Sequence, residues 1–511
     1  MVVGRIVKGA YYDSVTLMQA ARALARIDGV DDAAVVMGTP ENRAILSASS
    51  MLAPELDSAG ANDLLIAVSA ESREAASRAL AAADGILAGV CRPGDRAAAR
   101  RPRSLAGALE VLPAANLALI SVAGRHAGGL AREAIDRGLH VMLFSDNVPI
   151  ETEVELKARA HERGLLVMGP DCGTAILNGV PLGFANAVSR GPIGIVAASG
   201  TGLQEVSSIV SNQGAGVSQA FGTGGRDVTA QVGGVTFLDA LAALGEDGGT
   251  RVIVLISKPP DPGVSERIRE LAARVGKPVV TVFLGEAPRD EHAARTLSDA
   301  AFRAMAVLEG REPGEGSDRS ADLAGAVQEL ARDLARAARP GRRHVRALMS
   351  GGTFAAEAEV VFGDLGLAGV YSNTPFAGAA RLDDPLVSRG NAVVDMGADA
   401  FTVGRPHPMI DYSLRIRRIR EEAGDPSVAV ILLDVVLGYG SHPDPASELV
   451  PVIREVSDRV AVVCSVTGTD RDPQGRRGVY MALAEAGARV ARTNAEACAL
   501  AGSVVRILEG P

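Results

Sequence analysis

Gly194-Ile-Val-Ala-Ala-Ser-Gly-Thr-Gly-Leu-Gln-Glu205 decides how the chain reads, because its pattern returns as Arg346-Ala-Leu-Met-Ser-Gly-Gly-Thr-Phe-Ala-Ala-Glu357. In each copy an apolar run predicts a buried parallel strand, and a Ser/Gly/Thr turn opens a helical pattern. Glycines let the backbone approach a ligand closely, and free N–H groups at a helix start attract an anion. Two such turns predict either two anion sites or one site where two similar domains meet. The bland alternative is ordinary turn chemistry, which any α/β domain carries after its strands. On the anion reading, Ser199, Gly200, Thr201 and Gly202 form one phosphate cradle and Ser350, Gly351, Gly352 and Thr353 the other. Ser199 and Ser350 are then expected at equivalent strand ends.

Working outward, strands alternate with helices from residue 116 to the C-terminus, which predicts right-handed βαβ units and doubly wound parallel sheets. The first 100 residues differ: their β-α-β-β-α order reads as a small α+β domain, ferredoxin-like in outline. The basic stretch Arg96–Arg103 marks its boundary. Residues 309–343 are charged, carry Gly and Pro at both ends, and read as a linker with one exposed helix.

The chain has 511 residues, 47% of them hydrophobic, enough for about three or four domains. A formal charge of −9 without a dense Lys/Arg tract argues against a general nucleic-acid binder. No apolar stretch reaches bilayer-spanning length and the N-terminus lacks a cleavable apolar core, so a cytoplasmic protein without a membrane partner is expected. Cys91, Cys172, Cys464 and Cys498 are scattered without metal-ligand spacing, which predicts reduced thiols and no metal site.

Ligands on doubly wound sheets sit outside the carboxyl ends of the strands, so the loops there carry the candidate chemistry. In Thr402–Asp411, Arg405 suits a bidentate contact to phosphate or carboxylate. His407, between two prolines, suits carbonyl polarisation or proton transfer, with Asp411 to orient it. The alternative is a stiff turn whose Arg and His pair with the domain's own carboxylates. Thr467, Gly468, Thr469 and Arg471 suit an anion cradle, against the reading of an Asp-rich turn capping the next helix. Gly222, Gly224 and Gly225 stand with Arg226 and Asp227 in a further glycine-rich loop. Arg125 and His126 on a strand-end loop suit a CoA-like phosphate. Cys172 reads more readily as a packed small thiol than as a nucleophile.

These loops, in this order, carry a family resemblance. Glu133-Ala-Ile-Asp136, Gly169-Pro-Asp-Cys172, Gly194–Thr201, Gly222-Thr-Gly-Gly-Arg-Asp227 and Gly276-Lys-Pro-Val-Val280 make residues 116–285 resemble the α subunit of nucleoside-diphosphate-forming acyl-CoA synthetases, such as succinyl-CoA synthetase. Residues 344–511 look like the C-terminal domain of the β subunit fused onto the same chain. Val7–Val15, Met37–Asn42, Val403–Asp411 and Thr467–Pro473 narrow the resemblance to the FdrA proteins. It implies an α+β domain over 1–100, then three doubly wound units. These are a CoA-binding-like Rossmann domain over 101–189 and two flavodoxin-type domains over 190–308 and 344–511, joined by a linker at 309–343. On the resemblance, Gly169, Pro170 and Cys172 join Arg125 and His126 in a CoA-like site, and Gly224, Gly225 and Arg226 lie near the phosphate-carrying centre and bind phosphate.

Departures from the synthetase pattern shape the expected activity. Those enzymes carry phosphate on a histidine in a Gly-His-Ala-Gly loop, whereas His292 here lies in Arg289-Asp-Glu-His-Ala-Ala-Arg295, which reads as a solvated helix. The nucleotide-binding ATP-grasp portion is also missing from the pattern. The resemblance therefore implies a subunit of an acyl-phosphate-using carbamoyltransferase of ureide catabolism, passing a carbamoyl group between phosphate and oxamate or oxalurate. Two alternatives are a CoA ligase that borrows a nucleotide-binding chain, and a non-catalytic CoA- or metabolite-binding scaffold. Phosphate or carbamoyl phosphate is the expected substrate, CoA a further ligand, and partner subunits and self-association are expected.

Overall fold

Stretches such as Val428–Val436, nine residues without an exposed position, are apolar on both faces and demand cover on both. That requirement organises the fold. The computed structural model describes all residues of the chain except 11, 13, 40–41, 44–45, 48–50, 62, 91–101, 103, 313–316, 403–405 and 511. The chain divides into two units, Met1–Ala115 with Asp399–His407, and Asn116–Ala398 with Pro408–Pro511.

The first unit runs β1 (Val2–Val7), α1 (Ser14–Ala25), β2 (Val30–Met37), β3 (Leu64–Ala70), α2 (Arg73–Val90) and α3 (Leu105–Val111), with a one-turn helix at Asp399–Thr402. Its sheet is antiparallel with order β1-β3-β2. Side chains alternate faces along the central strand. Leu64, Ile66 and Val68 pack with Leu17, Leu24, Ala76 and Ala79 of the helices, while Leu65 and Ala67 pack with Leu46, Met51 and Leu56 behind.

The second unit opens with β4 (Leu117–Ile120), α4 (Gly124–Asp136), β5 (His140–Leu143), α5 (Ile150–His161) and β6 (Val167–Met168), a parallel sheet of its own. The hairpin β7 (Thr174–Leu177) and β8 (Val180–Gly183) pairs with β10, so it belongs to the next sheet although it lies inside the stretch expected as a Rossmann domain. Next come β9 (Arg190–Ala197), α6 (Gly200–Asn212), β10 (Val217–Gly222), α7 (Val235–Glu246), β11 (Val252–Ser257), α8 (Pro262–Ala272), β12 (Val279–Phe283) and α9 (Leu297–Leu308). The resulting six-stranded order is β12-β11-β9-β10-β7-β8.

Helix α10 (Ser317–Ala337) fills the stretch expected as a linker with an exposed helix. Ala331 and Ala335 are buried in the shared core, and Gln328 donates to Ser503 Oγ at 3.0 Å. Its small apolar stripe is a packing face, which the charged composition hides.

The second repeat runs β13 (His344–Met349), α11 (Gly352–Asp364), β14 (Val370–Ser372), β15 (Ala380–Arg381), β16 (Asn391–Asp395), α12 (Ser413–Gly424), β17 (Val428–Val436), α13 (Pro445–Val456), β18 (Ala461–Thr467), α14 (Arg476–Glu485), β19 (Arg489–Ala491) and α15 (Asn494–Glu509). Its seven strands are parallel, in the order β15-β14-β16-β13-β17-β18-β19. The α/β class with parallel sheets is as the alternating pattern predicts. Strand order reverses between β9 and β11, and again between β13 and β17, so the turns after β9 and β13 stand at the switch points. One hydrophobic core spans both repeats, joining Ile195, Leu203 and Val206 to Val345, Phe354 and Leu432.

Candidate functional site

Ser199 is the N-cap of α6, and its Oγ accepts the Gly202 N–H at 2.9 Å. Gly351 is the N-cap of α11, which has no side-chain cap. Matching caps pairs Ser199 with Gly351, Thr201 with Thr353 and Glu205 with Glu357. Ser350 is therefore the counterpart of Ala198, and the expected equivalence of Ser199 with Ser350 is wrong by one residue. The extra glycine in the second turn misleads an alignment made on serine.

The two turns meet. Ser199 Oγ lies 2.6 Å from Thr353 Oγ1, with either hydroxyl able to donate. A Cβ on Gly351 would stand 2.6 Å from Thr201 Cγ2, so only glycine permits this approach. First-turn amides have no partners within their own helix, and the positive ends of two helix dipoles converge here. Ser199, Gly200 and Gly352 are partly exposed, whereas Thr201 and Thr353 are buried.

Lys258 and Asp395 flank the uncapped end of α11. Lys258 begins the loop after β11, and its Nζ lies 3.8 Å from the position of a Gly352 Cβ and 5.7 Å from the Phe376 ring centre. Asp395 closes β16; its Oδ2 lies 2.9 Å from that same Gly352 position, and its Oδ1 accepts the Gly397 N–H at 2.9 Å. Burial pushes the Asp395 carboxyl up to about 6, against the pull of the Gly397 amide and of Lys258. Glu359 on α11 is pushed up to about 7, again by burial, and accepts the Phe376 N–H at 2.6 Å. Motif reading singles out none of these residues, because a Lys or Asp at a strand end has no spacing signal. Their position at the carboxyl edge of the sheets is the signal.

Several expected anion ligands have other partners. Ser350 is 1% exposed, and both its N–H, at 2.7 Å, and its hydroxyl donate to Asp434. Asp434 in turn accepts Arg415 Nη2 at 2.8 Å, so the donors of Ser350 are spent inside its own domain. The Thr467–Arg471 turn is a bracket between the repeats. Thr469 Oγ1 donates to the Ala187 carbonyl at 2.7 Å, Arg471 Nη1 to Ser189 Oγ at 3.1 Å, and Gly468 O accepts Asn212 Nδ2 at 2.8 Å. Asp472 organises it, accepting from Thr469 N at 2.7 Å, Ala187 N at 2.6 Å and Asn186 Nδ2 at 2.9 Å. An acceptor so placed takes the donors that an anion would need.

Arg226 pairs with buried Glu153 at 2.9 Å and donates to the Val148 carbonyl at 2.9 Å. Glu153 and Asp227 both pair with Lys157, a fully buried network that ties α5 to the Gly222–Asp227 loop. Gly224 approaches Pro170 so closely that a Cβ would stand 2.4 Å from its carbonyl oxygen, with Gly169 beside it, whereas exposed Gly225 meets only Ala198 O at 3.9 Å. Cys172 donates to the Gly222 carbonyl at 3.3 Å, and burial pushes its thiol up to about 12, so it is a packed thiol. Arg125 and His126 occupy the first turn of α4, not a loop, and are exposed with Arg125 Nε donating to His126 Nε2 at 3.2 Å.

His292 lies in a turn, not a solvated helix, and its carbonyl accepts Thr281 N at 3.0 Å. Arg405 lies outside the described residues. His407 is half-buried within the first unit. Asp411 accepts the Ser413 N–H at 2.8 Å and the Ser413 hydroxyl, closing the turn into α12.

The arrangement thus gathers two helix ends, one amine and one carboxyl raised by burial, a set suited to a phosphoryl or carboxylate group. Known families match along the chain. The "AllF, heavy metal-associated domain" covers residues 1–102, the "Succinyl-CoA ligase like flavodoxin domain" residues 190–311, and "CoA-ligase" residues 348–504. The "Uncharacterized protein YahF" of Escherichia coli K12 is 41% identical over 497 residues, which cover 95% of each chain. "Succinate--CoA ligase [ADP-forming] subunit alpha 1" of Archaeoglobus fulgidus is 28% identical over 175 residues, 34% of this chain and 58% of that one. The chain thus spans little more than half the length of that α subunit. A solved structure, PH0766 from Pyrococcus horikoshii OT3, aligns at 15% identity and a TM-score of 0.30, covering 76% of this chain and 83% of that one.

The heavy-metal description does not fit the N-terminal residues. Thiolate and imidazole are the usual anchors of soft and borderline metals, and the sequence has neither Cys nor His before Cys91. Where β1 leads into α1, Asp63 takes the bridging part instead, accepting Gly9 N at 3.0 Å and Gly60 N at 2.8 Å and pairing with Lys8 at 3.0 Å. With its flavodoxin-like and CoA-ligase domains in one polypeptide, the chain belongs with YahF to an acyl-CoA-synthetase-like family of the succinyl-CoA ligase type.

Proposed function

We propose that the chain handles an acyl phosphate at the joined N-termini of α6 and α11, and that the acyl group is a carbamoyl group. The Ser199–Thr353 contact of 2.6 Å carries this reading, because it gathers two anion-attracting helix ends into one place. In carbamoyl transfer, an amide nitrogen of the acceptor attacks the carbamoyl carbon. The C–O bond to phosphate breaks, inorganic phosphate leaves, and the nitrogen loses a proton. Helix-end amides and Lys258 stabilise charge on the departing phosphate, while Asp395 exchanges the proton. The FdrA resemblance implies oxamate as the acceptor and oxalurate as its carbamoylated product, and partner subunits complete the assembly.

The sequence match to a succinate–CoA ligase α subunit favours a second reading, an acid–thiol ligase that takes its nucleotide from a separate chain. Phosphate release from carbamoyl phosphate, assayed on the purified chain alone and with the products of neighbouring genes, separates the two. Release that needs oxamate but no nucleotide supports carbamoyl transfer. Acid-labile phosphate on His292, or a strict requirement for nucleotide and CoA, moves the assignment to the ligase.

A further inference from the structure

Beneath the joined turns lies a pair of acidic groups that the proposed chemistry does not use. Glu205 of α6 and Glu357 of α11 occupy the same place in the two repeats, and each reaches into the opposite repeat. Glu205 Oε1 accepts the N–H of Asn494, the first residue of α15, at 2.9 Å, and its Oε2 accepts the Thr467 hydroxyl at 2.5 Å. Glu357 Oε1 accepts the N–H of Leu297, the first residue of α9, at 2.7 Å. Each glutamate thus caps the last helix of the other repeat.

One residue breaks the symmetry. Asn494 also donates its side-chain Nδ2 to Glu357 Oε2 at 2.7 Å, so a single asparagine holds both carboxyl groups. Both glutamates are almost entirely buried, and every direct partner is a neutral donor. Other charges act at longer range. Arg476 of α14 favours ionisation of Glu205 and Asp434 of β17 opposes it, while the two glutamates oppose each other. The Arg476 guanidinium is engaged with the carbonyls of Val466 and Arg492, and the neighbouring Cys498 thiol is pushed further up by all three carboxyls. Two negative charges buried around one asparagine cost far more than one.

We propose that Glu205 and Glu357 retain one proton between them at neutral pH, and that this proton clasps the two flavodoxin-like repeats together. Losing it to solvent base leaves two like charges on Asn494, and the caps on α9 and α15 loosen. Burial pushes Glu357 up to about 7 and raises Glu205 in the same direction. A carboxyl raised on folding stabilises fully below its unfolded value, and that stability is lost as pH rises through the folded value.

Hydrogen exchange at the Leu297 and Asn494 amides, corrected for intrinsic rates, tests the clasp between pH 5 and pH 8 in the full chain. Protection should fall through the titration by about tenfold per pH unit, the slope for one proton. Glu357→Gln, which keeps one acceptor oxygen and cannot ionise, should hold its pH 5 protection at pH 8, whereas Glu266→Gln, at an exposed carboxylate, should follow the wild type. If Glu357→Gln does not fold, Glu205→Gln makes the same test from the other helix. Protection that is flat with pH in the wild type, or that falls as steeply in the Gln variants, overturns the proposal.

Discussion

Ser199 Oγ and Thr353 Oγ1 touch at 2.6 Å, the N-cap of one helix against the first turn of another. Gly351 sets that distance, because its missing side chain is the space that Thr201 occupies. Gly351→Ala should therefore force the turns apart, costing about 1–3 kcal/mol of stability as overpacking does. It should also weaken binding of inorganic phosphate. Denaturant titration and calorimetry measure the two effects, and adding Thr201→Ser, which removes the crowded methyl, should restore part of both. Unchanged phosphate affinity in a folded Gly351→Ala protein would show that the join is not the anion site.

Lys258 is exposed and reaches the uncapped end of α11 from the other repeat. Lys258→Ala should weaken phosphate or carbamoyl phosphate by about 1.5–3 kcal/mol, the range for a charged hydrogen bond. The unfolding midpoint should hardly move. Equal affinity in wild type and variant removes Lys258 from the site.

The pH dependence of Asp395 has a definite sign. Its carboxyl rises from 3.8 to about 6 on folding, so its contribution is full below pH 3.8 and is lost as pH rises through about 6. Asp395→Asn should lose less stability than wild type between pH 4 and pH 7. If Asp395 moves the proton in transfer, the variant should also lose the inflection near that value in the rate of phosphate release. Identical rate profiles would leave Asp395 a structural residue.

Asp472 distinguishes a bracket from a cradle. Asp472→Ala leaves the amides of Thr469 and Ala187 and the side chain of Asn186 without their acceptor, at about 1–3 kcal/mol for each buried group left unsatisfied. Stability should fall while phosphate affinity in the folded protein stays the same. A selective loss of affinity would return the Thr467–Arg471 turn to the anion site.

The N-terminal domain should ignore metals. Zinc, copper and a chelator should leave its thermal unfolding unchanged, since Asp63 already joins the loops that a metal would join. Its carboxyl is lowered to about 2, first by the Gly60 amide, then by the Gly9 amide and by Lys8, so this link is lost only as pH falls towards that value. A tight, stabilising zinc site within the first 90 residues would contradict the ligand argument.

The repeated strand–turn–helix unit was legible because a buried parallel strand and a glycine-rich turn are local patterns. The meeting of Ser199 with Thr353 was open only as one of two alternatives, since sequence does not say which surfaces of two domains touch. Thr469 and Arg471 misled for a related reason: hydroxyls and a guanidinium look alike whether they await an anion or hold Ala187 and Ser189. Lys258 and Asp395 carry no local sequence signal, because each comes from a different repeat and only folding brings them together. Helix α10 shows the opposite failure, a charged composition concealing the narrow alanine stripe that packs it.

A further consequence follows from placing α6 and α11 on one polypeptide. When two chains each supply half of a pocket, the fraction assembled depends on how much of each chain is present. Here the second helix is tethered at an effective concentration on the order of millimolar or above. Dilution therefore cannot pull the halves apart, and anion affinity per chain should be the same at nanomolar and micromolar protein.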